Sequence, residues 1–137
     1  MKTKSDRRKG GLAVFAVALA LLALPALGGY ICQQRTAGIC DRVQAVAEKA
    51  VEEAVNGDIP AAEELCAGLE TLWEKERLYM GVLYDHETAN RIGESISRMG
   101  VFIRTGATEA LLAEAKVFAC QTEALKNADR VTPANLF

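Results

Sequence analysis

Large aromatic side chains are scarce in this chain. One Trp, three Tyr and four Phe make up 6% of its 137 residues, and His occurs once. A lone His carries little catalytic information unless neighbouring groups orient it. The patterns G-x-S-x-G, P-loop, G-x-G-x-x-G and H-E-x-x-H are all absent. Cys32, Cys40, Cys66 and Cys120 show neither C-x-x-C spacing nor a haem motif, which argues against zinc and c-type haem. Basic residues are also missing from most of the molecule. Beyond residue 10 there are eleven Lys or Arg against seventeen Asp or Glu, so no basic face is available for nucleic acid. The expectation is a protein without enzymatic activity and without catalytic, cofactor-binding or metal residues, one that binds no cofactor and no nucleic acid.

Half of the residues are hydrophobic, carried mainly by Ala, Leu and Val, with Glu and Lys abundant. These residues lose little conformational freedom in a helix, so the composition predicts an all-α protein. The first ten residues, "MKTKSDRRKG", hold five basic side chains and one acidic one, a net of +4. The run "GLAVFAVALALLALPALGGYI" follows, and from Gly10 to Ile31 no side chain is charged or strongly polar. About 20 residues of helix cover the roughly 30 Å hydrocarbon core of a bilayer. Residues 11–32 are therefore read as a transmembrane helix. Lys2, Lys4, Arg7, Arg8 and Lys9 (residues 1–10) stay in the cytoplasm by the positive-inside rule. The helical domain of residues 33–130 and a tail at 131–137 then lie outside the cytoplasm. The run is longer than a usual signal sequence, which favours an uncleaved anchor. Pro25 followed by "ALGG" offers cleavage after Gly28 as the alternative. "GGYI" before Cys32 does not resemble a lipoprotein signal.

Helical periodicity fills the rest. Ile39, Val43, Val46, Ala47, Ala50 and Ala54 mark a helix over about 41–55. "NGD" stops it and starts the next: Gly57 closes one helix, Asp58 caps the other, and Pro60 fits the first turn. Leu65, Cys66, Leu69, Leu72, Trp73, Tyr79 and Met80 form the stripe of the second helix. A third starts near Thr88 with Ile92, Ile96, Met99 and Ile103. "TGAT" at 105–108 repeats the stop and start before a fourth helix with Leu111, Ala115, Phe118, Thr122 and Leu125. Pro133 ends the pattern. Shifting the chain by 49 residues superposes Arg42-Val43 on Arg91-Ile92, Gly57 on Gly106 and Ala61 on Ala110. Two similar helical hairpins are the result. Neither buries its own stripe, and an antiparallel four-helix bundle does so for both.

The order of these features resembles the bacterial membrane-anchored family known as domain of unknown function 4363. The resemblance runs from Gly11 to Phe137. Trp73, Asp85-His86 and Asn135-Leu136-Phe137 are its sharpest marks, and the four Cys are a departure from it. It implies a membrane-anchored helical protein and no reaction.

One stretch, "LWEKERLYMGVLYDH" at 72–86, gathers the only Trp, two of the three Tyr and the only His. Trp73, Tyr79, Tyr84, Asp85 and His86 are thus the candidate binding or packing cluster. Packing is the preferred reading, because aromatic stripes at helical spacing are usually core. Asp85 is expected to cap the third helix, with Glu87 at its positive end and His86 in the corner between the hairpins. Cys66 and Cys120 are expected as buried free thiols. A Cys32–Cys40 bridge is excluded if the helix runs through both and open if Gly38 breaks it. The leading expectation for function is an interaction or structural module at the cell envelope, in contact with the bilayer and with an unidentified protein or a second copy of itself. The alternative is a small-ligand sensor or binding domain.

Overall fold

The computed structural model describes the backbone of residues 4–128 and the side chains of residues 13–128. The basic side chains of the N-terminus, Pro133 and Asn135-Leu136-Phe137 lie outside these described residues. Four helices account for nearly all of the described chain: α1 (Lys4–Asn56), α2 (Ile59–Leu83), α3 (His86–Thr105) and α4 (Thr108–Asn127). No strand occurs among the described residues. The chain divides into two units, residues 1–34 and 35–137, with α1 contributing to both.

In the first unit, residues 13–31 of the helix are apolar all round. Every side chain from Ala13 to Ile31 is exposed, and the segment is long and apolar enough to cross a membrane. Pro25 sits inside it, a tolerated breaker in membrane helices.

The second unit is an antiparallel four-helix bundle whose helices are joined by two-residue turns. Its core follows heptad-like spacing. α1 buries Thr36, Ile39, Cys40, Val43, Ala47 and Ala50, and α2 buries Ala62, Cys66, Leu69, Trp73 and Met80. α3 adds Ala89, Ile92, Ile96, Met99 and Ile103, and α4 adds Leu111, Phe118, Thr122 and Leu125. Steps of three and four keep each set on one face, so the four faces close a single core.

The first and third turns, each built on a glycine, explain the repeat. Gly57 and Gly106 are the glycines with positive φ, at 88° and 67°. At the end of α1, Gly57 N–H donates to Ala54 and Asp58 N–H to Glu53, at 3.2 and 2.9 Å. At the end of α3, Gly106 N–H donates to Ile103 and Ala107 N–H to Phe102, at 3.2 and 3.0 Å. These paired bonds are one Schellman closure used twice, 49 residues apart. The starts that follow differ. Asp58 accepts from Ala61 N–H at 3.1 Å and caps α2, whereas α4 begins at Ala107 with no side-chain cap. The expected repetition of start chemistry at "TGAT" therefore fails, because Thr108 is already inside the helix.

Three other expectations need correction. The helix expected over about 41–55 and the apolar helix are one element, since nothing interrupts the hydrogen-bond ladder at Gly38. α3 begins at His86 rather than near Thr88, because the cap is Asp85. Cys120 is exposed rather than buried, while Cys66 is buried. Cys120 lies two residues from the buried Phe118, which turns it away from the core. None of the four cysteines forms a disulfide.

Candidate functional site

The opening of the 72–86 stretch is core. Trp73 is 1% exposed, and its indole Nε1–H donates to the Ala89 carbonyl of α3 at 3.1 Å. That bond satisfies the one polar atom of a buried indole, which would otherwise be costly. The ring needs room on α3 and finds it at Gly93, where a Cβ would stand 3.4 Å from Nε1. Any larger residue at 93 would press on the indole.

The remaining members disperse. Tyr79 is half-buried, with the Arg35 guanidinium 4.0 Å above its ring. The Tyr84 hydroxyl donates to Thr36 Oγ1 at 2.9 Å, tying the end of α2 to α1. Thr36 itself is buried, so this bond satisfies a core hydroxyl. Asp85 caps α3. Its Oδ1 accepts from Thr88 N–H at 2.6 Å and its Oδ2 from the Thr88 hydroxyl at 2.7 Å. Those bonds to Thr88 hold the carboxyl below its ordinary range. His86 stands at the corner between the hairpins with its ring against Gly81, where a Cβ would come within 2.6 Å of Nδ1. It is exposed, so it covers that corner without filling it. Glu87 pairs with Arg91, one turn along. Five candidates thus occupy a core site, two tie points, a cap and a surface corner. They do not converge on one cleft.

A groove of about 630 Å³ runs between α2 and α3. Trp73, Gly93 and Ile96 form its apolar part, and Glu74, Arg77 and Arg98 stand along it. Four of its five charged side chains (all but Glu70) are held in ion pairs. Arg77 pairs with Glu74 at 3.1 Å, and Arg98 pairs with Glu94 at 3.7 Å and Glu114 at 2.9 Å. Among the described residues no three His, Cys, Asp or Glu side chains come together as a metal site. Cys66 is equally unsuited to nucleophilic work. Burial, with Glu70 nearby, pushes its thiol up to about 11, so it stays protonated and inert at neutral pH.

Sequence reasoning missed two carboxylates that occupy stripe positions. Glu76 lies three residues after Trp73 and four before Met80, and its side chain is only 16% exposed. Arg35 and Arg42 of α1 reach it at 3.3 and 3.9 Å. Glu114 lies between Leu111 and Phe118 and is 13% exposed. It accepts from Arg98 and from the buried Ser95 hydroxyl. Burial raises the Glu114 carboxyl, but the hydrogen bonds from Arg98 and Ser95 outweigh it and leave the group below its ordinary range. The signal was available: a Glu at a heptad step between large apolar residues requires a cation or a donor opposite it.

No curated protein and no solved structure matches the chain. A family match covers residues 30–136, so the bundle falls within it while the apolar run up to Gly29 does not. On that match, which spans the Trp73 core, the Asp85 cap and both Schellman turns, the chain belongs to the family described as domain of unknown function (DUF4363).

Proposed function

We propose that this is a non-catalytic, single-span membrane protein of a bacterial envelope. Its helical bundle works outside the cytoplasm as an interaction or structural module, through an unidentified protein or self-association. The observation that carries the reading is the exposure of Val14, Phe15, Leu19, Leu22 and Leu24, each at least 59% accessible on a helix with no polar face. Water does not tolerate so continuous an apolar surface, and lipid does. The bundle offers paired charges and a satisfied indole, which suits a scaffold better than a reaction centre. The excess of Lys and Arg in residues 1–10 supports a cytoplasmic N-terminus.

The test is topological. A reporter enzyme fused after Phe137 should be active only when it requires an extracytoplasmic location, and the protein should remain with membranes through a carbonate wash. Activity of a cytoplasm-only reporter at that position would overturn the orientation. A released form lacking about 28 residues would instead indicate a cleaved signal.

The groove between α2 and α3 favours one second reading, a small-ligand sensor. A ligand there would change Trp73 fluorescence saturably, since the indole borders the groove.

A further inference from the structure

Two side chains of the bundle are exposed out of proportion to their chemistry. Leu78 is 73% and Val82 is 80% accessible, matching Leu22 at 75% in the apolar run. They are four residues apart on α2, so they share one face, and Leu83, the last residue of the helix and about 100° further round, is 39% accessible. The bundle's other exposed large apolar residues (Val55, Val101, Leu112 and Val117) are all less accessible, at 44–53%.

Their position in the fold says what they meet. The contacts of Arg35 with Tyr79 and of Thr36 with Tyr84 place the last turns of α2 level with residues 35 and 36. Arg35 comes four residues after Ile31, the last residue of the apolar run. Four residues reach about 14 Å even at full extension. Chain length therefore bounds the distance between the end of the apolar run and Arg35, and puts this end of α2 within reach of the surface of a bilayer that the run crosses. Tyr79 and Tyr84 stand at this end of the bundle, against Arg35 and Thr36, and Tyr30 immediately precedes Ile31 in the chain. Tyr is enriched at membrane–water interfaces for its apolar body and polar tip. Lys75, one turn before Leu78 on the same face, is exposed, and its long stem lets the ammonium reach lipid phosphates. The nearby acids are engaged: Asp85 by the α3 cap and Glu87 by Arg91.

We propose that Leu78, Val82 and Leu83 form an apolar edge that enters the boundary between headgroups and acyl chains of the bilayer, holding the bundle against the membrane. This rests on the anchored reading above. The test uses the full chain reconstituted in phosphatidylcholine vesicles, with single Trp reporters read against wild type, whose Trp73 is buried. Leu78→Trp and Val82→Trp should lose emission when the lipid carries bromine near the headgroup end of its acyl chains. Leu112→Trp should not, and Leu22→Trp should lose emission to deeply placed bromine. Quenching at 22 with none at 78 and 82 would overturn the edge and leave the anchor standing. Absence of quenching at 22 would sink the anchor and the edge with it. Emission at 78 or 82 that shifts to the blue without quenching would assign the edge to a second copy instead, and equal quenching at 112 would show unspecific adsorption. Either of these two results also defeats the proposal. All four substituted side chains are exposed, so none threatens the core.

Discussion

Within α1, residues 13–31 and residues 36–54 are both helical and obey different rules. The first segment exposes every side chain, and nearly all of them are apolar. The second buries only Thr36, Ile39, Cys40, Val43, Ala47 and Ala50 and presents charge elsewhere, including Asp41, Arg42, Glu48 and Lys49. Helix propensity does not separate them. The width of the apolar surface does. A narrow stripe is covered by neighbouring helices, whereas a surface apolar on all sides has only lipid as a matching solvent.

The comparison predicts opposite responses to similar insults. Trp73→Ala removes the largest buried side chain of the bundle and should cost about 3–5 kcal/mol. Against a total stability of roughly 5–15 kcal/mol, that brings the bundle close to collapse. Thermal unfolding of the detergent-solubilised chain measures it. A variant melting within a degree or two of wild type would show that Trp73 is not the packing centre. His86→Ala should have a much smaller effect, because that ring is exposed.

A charge in the first segment should do the reverse. Leu22→Arg is expected to disfavour membrane insertion by about 2.5–3.5 kcal/mol while leaving the melting of the bundle unchanged. Insertion assays and thermal melts on the same variant separate the two effects. A lowered melting temperature with intact insertion would break the distinction between the segments.

A finer contrast lies between the two Schellman turns. Asp58→Ala removes a side-chain cap and should cost about 1 kcal/mol. Thr108→Ala at the corresponding turn should cost almost nothing, since α4 starts without a side-chain cap. Equal losses would mean that Thr108 caps in solution and that the repeat is more complete than its hydrogen bonds show.

The smallest effect is kinetic. At neutral pH, Cys120 should react with a maleimide in the folded protein, whereas Cys66 should react only after denaturation and without prior reduction. Burial both blocks access to Cys66 and raises its thiol to about 11, and denaturation removes the two obstacles together. Single-cysteine variants read by mass give the two rates directly. Labelling of Cys66 that requires reductant would reveal a disulfide.

Much of this architecture was legible in the amino-acid order. Steps of three and four among Ile39, Val43, Leu69, Trp73, Ile92, Ile96, Leu111 and Phe118 determined which face each helix buries. Gly57 and Gly106 determined where α1 and α3 end, because a left-handed residue is needed there and glycine adopts it without strain. The uninterrupted apolar run determined a segment suited to lipid. These are local properties, set by backbone sterics and by side-chain spacing within one element. Tertiary structure alone decided the rest. That Glu76 answers Arg35, that Glu114 answers Arg98 and Ser95, and that Thr36 receives the Tyr84 hydroxyl depend on helix rotation and register. So does the dispersal of the 72–86 cluster into core, cap and corner. A helix rotates its side chains through 100° per residue, so neighbours in sequence diverge in space, and the partners of each are supplied by other helices.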